Sequence, residues 1–346
     1  MNAPADLLLE RQGSLAIITL NRPQALNALT LDMVRGMELA FSIWKRDHSV
    51  ACVLVRGAGE RGLCAGGDIR WIYESAIAGD YSPIDFWREE YGLNRGIADY
   101  PKPVVALMNG IVMGGGIGIS AHAAHRVVTE TTAIAMPEVS IGLIPDVGGT
   151  YLLSRAPGEL GTHVALTGGR VGAADSILLD LADVFAPGMN GARLAELLAD
   201  ARSSGEVDEI LKGVSAPPGE PPLAAARGWI DEVYSASAIE EICARLAARP
   251  EPEAAKALAV IGRNSPTSLK VTLRALRKGR VFAALAPCLD MELVLVGHCL
   301  RGHDLPEGIR AAVIDKDRDP RWSPATLAEV DEALVDSYFT PGKYSI

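Results

Sequence analysis

The chain has 346 residues, of which 49% are hydrophobic and 22% charged, a composition typical of a globular protein rather than a disordered one. Its formal net charge of -10 argues against a nucleic-acid partner, because an acidic protein gains nothing by releasing counterions from phosphates. The five cysteines show neither CxxC nor metal-ligand spacing, so we expect no metal site and reduced thiols in a cytoplasmic protein.

The first half of the chain alternates short apolar runs with helical patterns. The apolar runs predict strands over 15–20, 50–55, 103–108 and 125–129. Helices are expected after Thr30 and Asp68, each acting as N-cap, and from Gly114. Repeated strand–helix units of this kind predict an α/β fold.

One segment, 104–121, contains no charged residue and invites comparison with a membrane helix. A spanning helix needs about 20 predominantly apolar residues, and here the turn signal Asn109-Gly110 interrupts the segment in its middle. We therefore expect a buried strand, a turn and a Gly-rich helix start, and no membrane association.

From about Gly158 onward the pattern is mostly helical. The proline-rich piece 216–222 predicts an exposed connection. After Ser265-Pro266, the segment 269–276 predicts an amphipathic helix with a basic face, for which solvation is the usual explanation and a phosphorylated ligand a less common one.

Two Gly-rich loops, 62–69 and 109–116, each lie between a predicted strand and a predicted helix. Glycine lets a backbone approach a ligand closely, and two such loops could direct two amides at one developing oxyanion. Either loop alone fits a simple tight turn better. Neither matches a dinucleotide fingerprint or a P-loop, and the chain lacks the GxSxG elbow of serine hydrolases.

A third segment, 136–150, places Glu138 and Asp146 among apolar residues and turn formers. Burying an unpaired carboxylate costs several kcal/mol, so both should be hydrogen-bonded, paired or functional. Taken alone, the two side chains fit a capping or solvated role as well as a catalytic one.

Four motifs together resemble the crotonase (enoyl-CoA hydratase/isomerase) superfamily: NRPQALNAL at 21–29, CAGGDI at 64–69, NGIVMGGG at 109–116 and MPEVSIGLIPDVGG at 136–149. The resemblance implies a spiral of strand–strand–helix units with a helical C-terminal region. It also implies an acyl-CoA-binding catalytic core over 1–185 and a mostly helical part over 186–346. Some crotonase relatives form trimers, so a homo-oligomer is an expectation.

The same resemblance implies an oxyanion hole from the backbone N–H groups of Gly67 and Gly115. It implies that coenzyme A lies beside Ala65, Asp68 and Ile69. The loop of Arg22 would lie near the coenzyme A phosphates, although such basic loops are more often simply exposed. Coenzyme A is then part of the substrate, and no separate cofactor is expected.

Hydratases of the superfamily use two glutamates, and the chain departs from them at one of the two positions. One hydratase glutamate matches Glu138, whereas the other matches Gly118, which cannot transfer a proton. Asp146 stands where hydratases usually have glycine. Hydration of an enoyl-CoA by two glutamates is therefore in doubt.

Further segments are similar to the 3-hydroxyisobutyryl-CoA hydrolase family: FWREEY at 86–91, ALTGGR at 165–170, NSPTSLKVTLRAL at 264–276 and RGHDLPEGIRAAVIDKDRDPRW at 301–322. This likeness implies hydrolysis of a short branched 3-hydroxyacyl-CoA in valine breakdown. It makes Glu138 the main catalytic carboxylate, with Asp146 orienting or protonating, and places Glu90 and the Gly115 amide along the acyl pocket. Two alternatives stay open: a hydratase or dienoyl-CoA isomerase of the same superfamily, and a non-catalytic binding module.

Overall fold

The structure is a computed structural model that describes residues 6–341. Residues 1–5 and 342–346, the outer ends of the two predicted parts 1–185 and 186–346, lie outside the described residues.

The strands are β1 (Leu7–Gln12), β2 (Leu15–Leu20), β3 (Cys52–Gly57), β4 (Val104–Leu107), β5 (Ile111–Met113), β6 (His125–Val128), β7 (Ala133–Ala135) and β8 (Val184–Phe185). The α-helices are α1 (Leu31–Arg46), α2 (Ile69–Ala78), α3 (Pro83–Ala98), α4 (Gly115–Gly118), α5 (Gly149–Arg155), α6 (Leu160–Thr167), α7 (Ala173–Leu178), α8 (Gly191–Leu198), α9 (Ser204–Val214), α10 (Pro222–Tyr234), α11 (Ile239–Ala247), α12 (Pro252–Ile261), α13 (Pro266–Gly279), α14 (Leu285–Arg301), α15 (Asp304–Ile309) and α16 (Glu332–Tyr338). Shorter turns are the 3₁₀ segments Pro23–Ala25, Glu138–Ile141 and Leu327–Glu329 and the π-helical segment Arg310–Ile314.

The described chain forms two compact units, each assembled from three separate stretches. The first unit consists of residues 6–67, 89–135 and 170–222. The second unit consists of residues 68–88, 136–169 and 223–341.

The first unit contains a six-stranded sheet in the order β1-β2-β3-β4-β6-β8, and a small sheet of β5 and β7. β1 runs antiparallel to β2, and every later neighbour pair in the large sheet is parallel. All four predicted strands are confirmed. Parallel strands need cover on both faces, which agrees with the burial of every residue of β2 and β4 and with their almost entirely apolar sequences.

The large sheet buries one face against α8 and α9. The core there joins strand residues to helix residues: Leu15, Ile17, Cys52, Leu54, Val105, Leu107, Val127, Ala186, Leu194, Ala195, Leu198, Ala201, Val207 and Leu211. Burying each large aliphatic side chain contributes roughly 1.5–3 kcal/mol, so this layer fixes the positions of the strand ends from which the Gly-rich loops start.

Helix α1 follows its sequence pattern closely. The Thr30 side chain accepts a hydrogen bond from the Met33 amide at 3.2 Å, which confirms the predicted N-cap. Val34, Met37 and Phe41 are buried, as the helical spacing of apolar residues indicates.

The uncharged segment 104–121 folds as expected into a strand, a turn and a helix start, with one addition. Between the turn and α4 lies β5, which pairs with β7 in parallel register, Val112 opposite Ile134. Within residues 6–341, no helix is both long enough and apolar enough to cross a membrane.

The second unit is helical, and α13 lies at its centre, packed against α5, α6, α14 and α16. Ser265 caps α13 by accepting a hydrogen bond from the Ser268 amide at 3.0 Å. Lys270, Arg274 and Arg277 of α13 pair with acids, Arg277 with Glu159 at 2.7 Å among them. Lys278 lies over the Phe339 ring instead.

The mixed α/β class with a helical C-terminal region is confirmed. β8 ends at Phe185, where the predicted core part ends, and every named element of the described chain after it is helical. Of the predicted connection 216–222, residues 216–221 run irregularly between α9 and α10, whereas Pro222 is already the first residue of α10. The assignment of separate roles to 1–185 and 186–346 stays a prediction.

Candidate active site

In the first unit, the two Gly-rich loops pair with each other through their backbones. The Cys64 amide donates to the Ile111 carbonyl at 3.2 Å, and the Met113 amide donates to the Cys64 carbonyl at 3.0 Å. A third bond, from Leu29 N to the Gly66 carbonyl at 2.8 Å, holds the outer end of the first loop. The loops therefore form one rigid backbone surface rather than two independent turns.

Gly67 and Gly115, the predicted oxyanion-hole residues, lie at the ends of these paired loops. Gly115 is the first residue of α4, and Gly67 directly precedes Asp68, the N-cap of α2. In the part of the chain that the structure describes, neither amide donates a hydrogen bond to a protein acceptor. An amide at a helix start has no partner within the helix, so both can bind an external oxygen.

The turn before Gly115 can be made only by glycine. Gly114 has φ 46° and ψ -121°, a combination that disfavours any residue with a Cβ atom. Gly66, on the facing loop, also has a positive φ of 108°. The backbone at Gly66 and Gly114 explains why the motifs carry glycines in addition to Gly67 and Gly115.

Glu90, predicted to line the acyl pocket, lies directly against Gly115. It is only 2% exposed, and a Cβ atom built at Gly115 would overlap its Oε1 atom. The same Cβ would lie 3.0 Å from Leu29 Cδ1. The structure thus brings Glu90 and Gly115 together, and their place along the acyl pocket stays a prediction.

Cys64 lies in the first loop but is unsuited to be a nucleophile. Burial raises the pKa of its thiol to about 12, with the charge of Glu90 adding to the shift. All five cysteines are unpaired, as expected. At neutral pH the Cys64 thiol is protonated, and only a thiolate attacks efficiently.

In the second unit, Glu138 begins the 3₁₀ segment that follows Pro137, and its side chain is 5% exposed. Within the described chain its Oε2 atom has no hydrogen-bond partner. Burial raises the pKa of Glu138 well above its usual value, and the charges of Asp146 and Glu292 raise it further. A buried carboxyl with an unsatisfied oxygen is costly to the fold, so a functional role is the natural explanation.

Asp146 is 3% exposed and lies in a backbone turn of unusual geometry. Its carbonyl accepts a hydrogen bond from the Gly149 amide at 2.6 Å. Val147 has φ 52° and Gly148 φ 83°, so two consecutive residues adopt the left-handed conformation. For a β-branched residue such as Val147 this costs on the order of 1–3 kcal/mol and needs support from the surrounding structure.

That support comes from Glu292, which sequence reasoning missed. Glu292 is fully buried on α14 and accepts hydrogen bonds from the Gly148 amide at 2.7 Å and the Thr150 amide at 2.9 Å. The Thr150 hydroxyl donates to it as well, at 2.5 Å. On α14, one buried face consists of Leu289, Glu292, Val296 and Cys299. Glu292 is the single acid on this otherwise apolar face, and that pattern was the signal in the sequence that indicated a buried role.

The structure therefore unites Glu138 and Asp146 in one buried carboxylate cluster with Glu292. In the described chain, no group of three or more histidine, cysteine or acidic residues has the arrangement of a metal site. The cluster has the character of an acid–base or nucleophilic centre, where neighbouring carboxyls shift one another's pKa.

The predicted coenzyme A residues are divided between the two units. In the first unit, Ala65 is partly exposed and its amide donates to the Leu26 carbonyl at 3.0 Å. Arg22 is held by the Ala28 carbonyl at 2.7 Å and lies 3.5 Å from Asp6. Its guanidinium is therefore not a freely exposed cation.

In the second unit, Asp68 and Ile69 start α2, and both are partly exposed. Asp68 occupies the predicted N-cap position, but its side chain accepts no capping hydrogen bond from the described first turn. The expectation that Asp68 caps this helix through its side chain is wrong. Its backbone, at φ -75° and ψ 81°, departs from the extended N-cap geometry that directs a side chain back onto the first amides.

Comparison with known proteins places the chain among enzymes of acyl-CoA metabolism. A family profile described as enoyl-CoA hydratase/isomerase matches residues 15–339. The curated protein "3-hydroxyisobutyryl-CoA hydrolase, mitochondrial" of Gallus gallus is 41% identical over 98% of this chain and 90% of its own length. The Homo sapiens protein of the same name is also 41% identical, over 98% and 89%.

Solved structures give a complementary result. A carnitinyl-CoA dehydratase from Mycobacterium thermoresistibile superposes with a TM-score of 0.94 at 46% identity, covering 99% of this chain and 98% of that one. An enoyl-CoA hydratase from Rhodobacter sphaeroides 2.4.1 superposes with a TM-score of 0.87 at 41% identity, covering 97% and 98%. The likeness extends over almost the whole chain in each case.

Proposed function

We propose, from the premise that this chain belongs to the enoyl-CoA hydratase/isomerase family, that it hydrolyses the thioester of a short branched 3-hydroxyacyl-CoA. The first substrate to test is 3-hydroxyisobutyryl-CoA, which the names of the curated relatives specify at about 41% identity. The observation that carries the proposal is the buried Glu138 with an unsatisfied Oε2 atom beside a second acid, Asp146.

The glycine at position 118 separates hydrolysis from two-glutamate hydration. Gly118 is buried at the end of α4 and offers no side chain for proton transfer. A single working carboxyl can attack or activate water at a thioester carbon without a second glutamate. Glu138 with Asp146 therefore fits thioester cleavage better than concerted addition of water to a double bond.

We assign the first role to the backbone amides of Gly67 and Gly115. They bind the thioester oxygen and stabilise the negative charge that develops there during attack. One positioned donor of this kind is worth about 10²–10³ in turnover. Glu90 and the Gly115 backbone contact the acyl group, whereas Ala65, Asp68 and Ile69 contact coenzyme A, with Arg22 near its phosphates.

Glu138 then carries the chemistry, and of two routes we favour covalent catalysis. The Glu138 carboxylate attacks the thioester carbon, the C–S bond breaks, and coenzyme A leaves with a proton from Asp146. Two neighbouring buried carboxyls resist double ionisation, so the pair shares one proton. Attack proceeds from the form in which Asp146 holds this proton and Glu138 is ionised. Water next attacks the mixed anhydride and returns a proton to Asp146. This step releases the carboxylic acid and restores the Glu138 carboxylate.

A second candidate function is dehydration or hydration of the acyl chain. The two similar solved structures are those of a carnitinyl-CoA dehydratase and an enoyl-CoA hydratase, at 46% and 41% identity. In that case Glu138 would move a proton at carbon rather than attack the carbonyl.

One preparation of the enzyme distinguishes these functions. Release of free thiol from 3-hydroxyisobutyryl-CoA and loss of enoyl absorbance from crotonyl-CoA are followed separately. We expect rapid thiol release and slow hydration. Brisk hydration of crotonyl-CoA without release of coenzyme A from 3-hydroxyisobutyryl-CoA would overturn the proposal.

The cellular setting follows from the same proposal. Hydrolysis of 3-hydroxyisobutyryl-CoA would place the enzyme in valine breakdown. The unpaired cysteines support a reducing compartment, and we propose the cytoplasm. The names of the curated relatives place those proteins in mitochondria. Self-association is the remaining expectation, and sedimentation of the purified chain tests it.

A further inference from the structure

Glu292 is the buried acid that the reaction outlined above leaves unused. Its two carboxylate oxygens accept from different residues: Oε2 from the Gly148 amide, and Oε1 from the amide and hydroxyl of Thr150. It lies 144 residues from Gly148 in sequence, on the middle of α14. One carboxylate thus holds both sides of the turn that follows Asp146.

We propose that Glu292 is a positioning residue, which fixes the turn Asp146–Thr150 and so holds the Asp146 carboxyl in place for proton transfer. The inference rests on the proposed roles of Glu138 and Asp146 in thioester hydrolysis.

The backbone geometry shows why such a clamp is needed. Val147 occupies the left-handed region at φ 52°, which a β-branched residue avoids unless other contacts enforce it. Glu292 supplies those contacts by accepting the amides on either side of Gly149. Because Asp146 immediately precedes Val147, relaxation of this turn would shift the Asp146 side chain.

Charge adds a second link between Glu292 and the reacting acids. The titratable groups that interact electrostatically with Glu292 are Glu138, Asp146 and, on its own helix, Cys288. Further charged or titratable groups interact with these three or with one another: Arg155 with Cys288, and Cys299 with Asp146 and with Asp304 on α15. Burial raises the pKa of both thiols, that of Cys288 to about 11, so they are neutral at physiological pH. Glu138 and Asp146 therefore remain as the acids whose ionisation responds to the charge of Glu292.

The sign of that coupling can be predicted. The charge of Glu292 contributes to the raised pKa of Glu138, after burial and Asp146. Burial raises the pKa of Glu292 itself to about 8, so this like charge is present mainly above pH 8. The kcat/KM profile of Glu292→Gln should therefore lose the change that follows ionisation of Glu292 near pH 8 and keep the wild-type shape at lower pH.

The test substitutes Glu292→Gln, which preserves size but replaces one acceptor oxygen by an NH₂ group. That group would face an amide N–H, so either Gly148 or Thr150 loses its acceptor. We expect kcat to fall by about 10²-fold, the effect of misplacing a reacting group by about 1 Å, while KM stays nearly unchanged. The kcat/KM profile should lose the change near pH 8 that accompanies ionisation of Glu292 in the wild type.

A matched control is Glu159→Gln in the same unit. Glu159 also accepts a threonine hydroxyl, from Thr162 at 2.6 Å, and pairs with Arg277 and Arg280. This variant should lose thermal stability but keep the wild-type kcat and pH profile. A second variant, Thr150→Val, removes only the hydroxyl bond to Glu292 and should lower kcat less than Glu292→Gln does.

A folded Glu292→Gln enzyme with wild-type kcat and an unchanged profile would overturn the inference. If Glu292→Gln does not fold, wild-type kcat in Thr150→Val would count against it, and a reduced kcat at unchanged KM would support it. Failure of the proposed function itself is recognised separately, because the unmodified enzyme would then release no thiol from 3-hydroxyisobutyryl-CoA.

Discussion

Two substitutions at Gly115 separate the contribution of its amide from that of its missing side chain. Gly115→Ala keeps the N–H but places a Cβ atom against Glu90 Oε1 and 3.0 Å from Leu29 Cδ1. Gly115→Pro places a Cβ at a similar point and also removes the N–H. Proline is tolerated at the first position of a helix, which is where Gly115 lies.

The difference in kcat between the two variants therefore measures what the Gly115 N–H contributes as a donor to the oxyanion. Gly115→Ala should lower activity by displacing the buried Glu90 carboxylate. Gly115→Pro should lower kcat by a further 10²–10³-fold, or about 2.7–4 kcal/mol, as expected for loss of one donor to the oxyanion. Binding of coenzyme A should change much less in both.

The assay is thiol release under saturating substrate, with circular dichroism and thermal melting as folding controls. Gly92→Ala is the matched control, because a Cβ at Gly92 on α3 meets no atom within 4 Å. It should keep full activity and gain about 0.5–1 kcal/mol of stability, the usual advantage of alanine over glycine within a helix. Equal kcat values for folded Gly115→Pro and Gly115→Ala would refute the donor role.

Three further outcomes are expected. Glu138→Gln should lower kcat by at least about 10²–10⁴-fold while retaining coenzyme A binding in calorimetry, and full turnover in this variant would exclude Glu138 from the chemistry. The pKa of Glu292 is raised from 4.5 to about 8, so its contribution to the free energy of unfolding is complete below pH 4.5 and is lost as the pH rises through 8. In denaturant titrations, the free energy of unfolding should decline less between pH 4.5 and 8 in Glu292→Gln than in the wild type. The same dependence on pH in both proteins would contradict the raised pKa of Glu292. Thr30→Ala should cost about 1 kcal/mol by removing the cap of α1, measured by the same titrations, without changing kcat.

The sequence predicted the helices and strands that are determined by residues close to one another in the chain. The cap at Thr30 and the apolar spacing of α1 lie within a few residues of one another, and the apolar runs of β2 and β4 suffice to identify buried strands. β5 and β7 were missed because each has only three residues, and β5 follows directly on a turn signal.

The candidate site was predicted less evenly, since its geometry depends on contacts between distant residues. Gly67 and Gly115 were identified only through family resemblance. The two loops pair through backbone atoms, and such pairing cannot be read from the pattern of side chains in the sequence. Nothing near Asp146 in sequence pointed to Glu292, which lies on a helix more than a hundred residues later. The burial of Glu138 and its unsatisfied Oε2 atom likewise became visible only in the structure.

The central claim is that Glu138 itself reacts with the thioester, and a single turnover in ¹⁸O-water with excess enzyme tests it most directly. Hydroxylamine is added during the turnover, and the peptide containing Glu138 is analysed by mass spectrometry. We predict a hydroxamate on Glu138 when the anhydride is trapped, and ¹⁸O in its carboxylate wherever water attacks the enzyme's acyl carbon. Water and hydroxylamine can also attack the substrate's acyl carbon of the anhydride, which gives a labelled product and a hydroxamate of the substrate acid. A first product that carries the label, a Glu138 peptide with neither hydroxamate nor ¹⁸O, and no enzyme-dependent hydroxamate of the substrate acid would together contradict covalent catalysis and leave Glu138 as a general base.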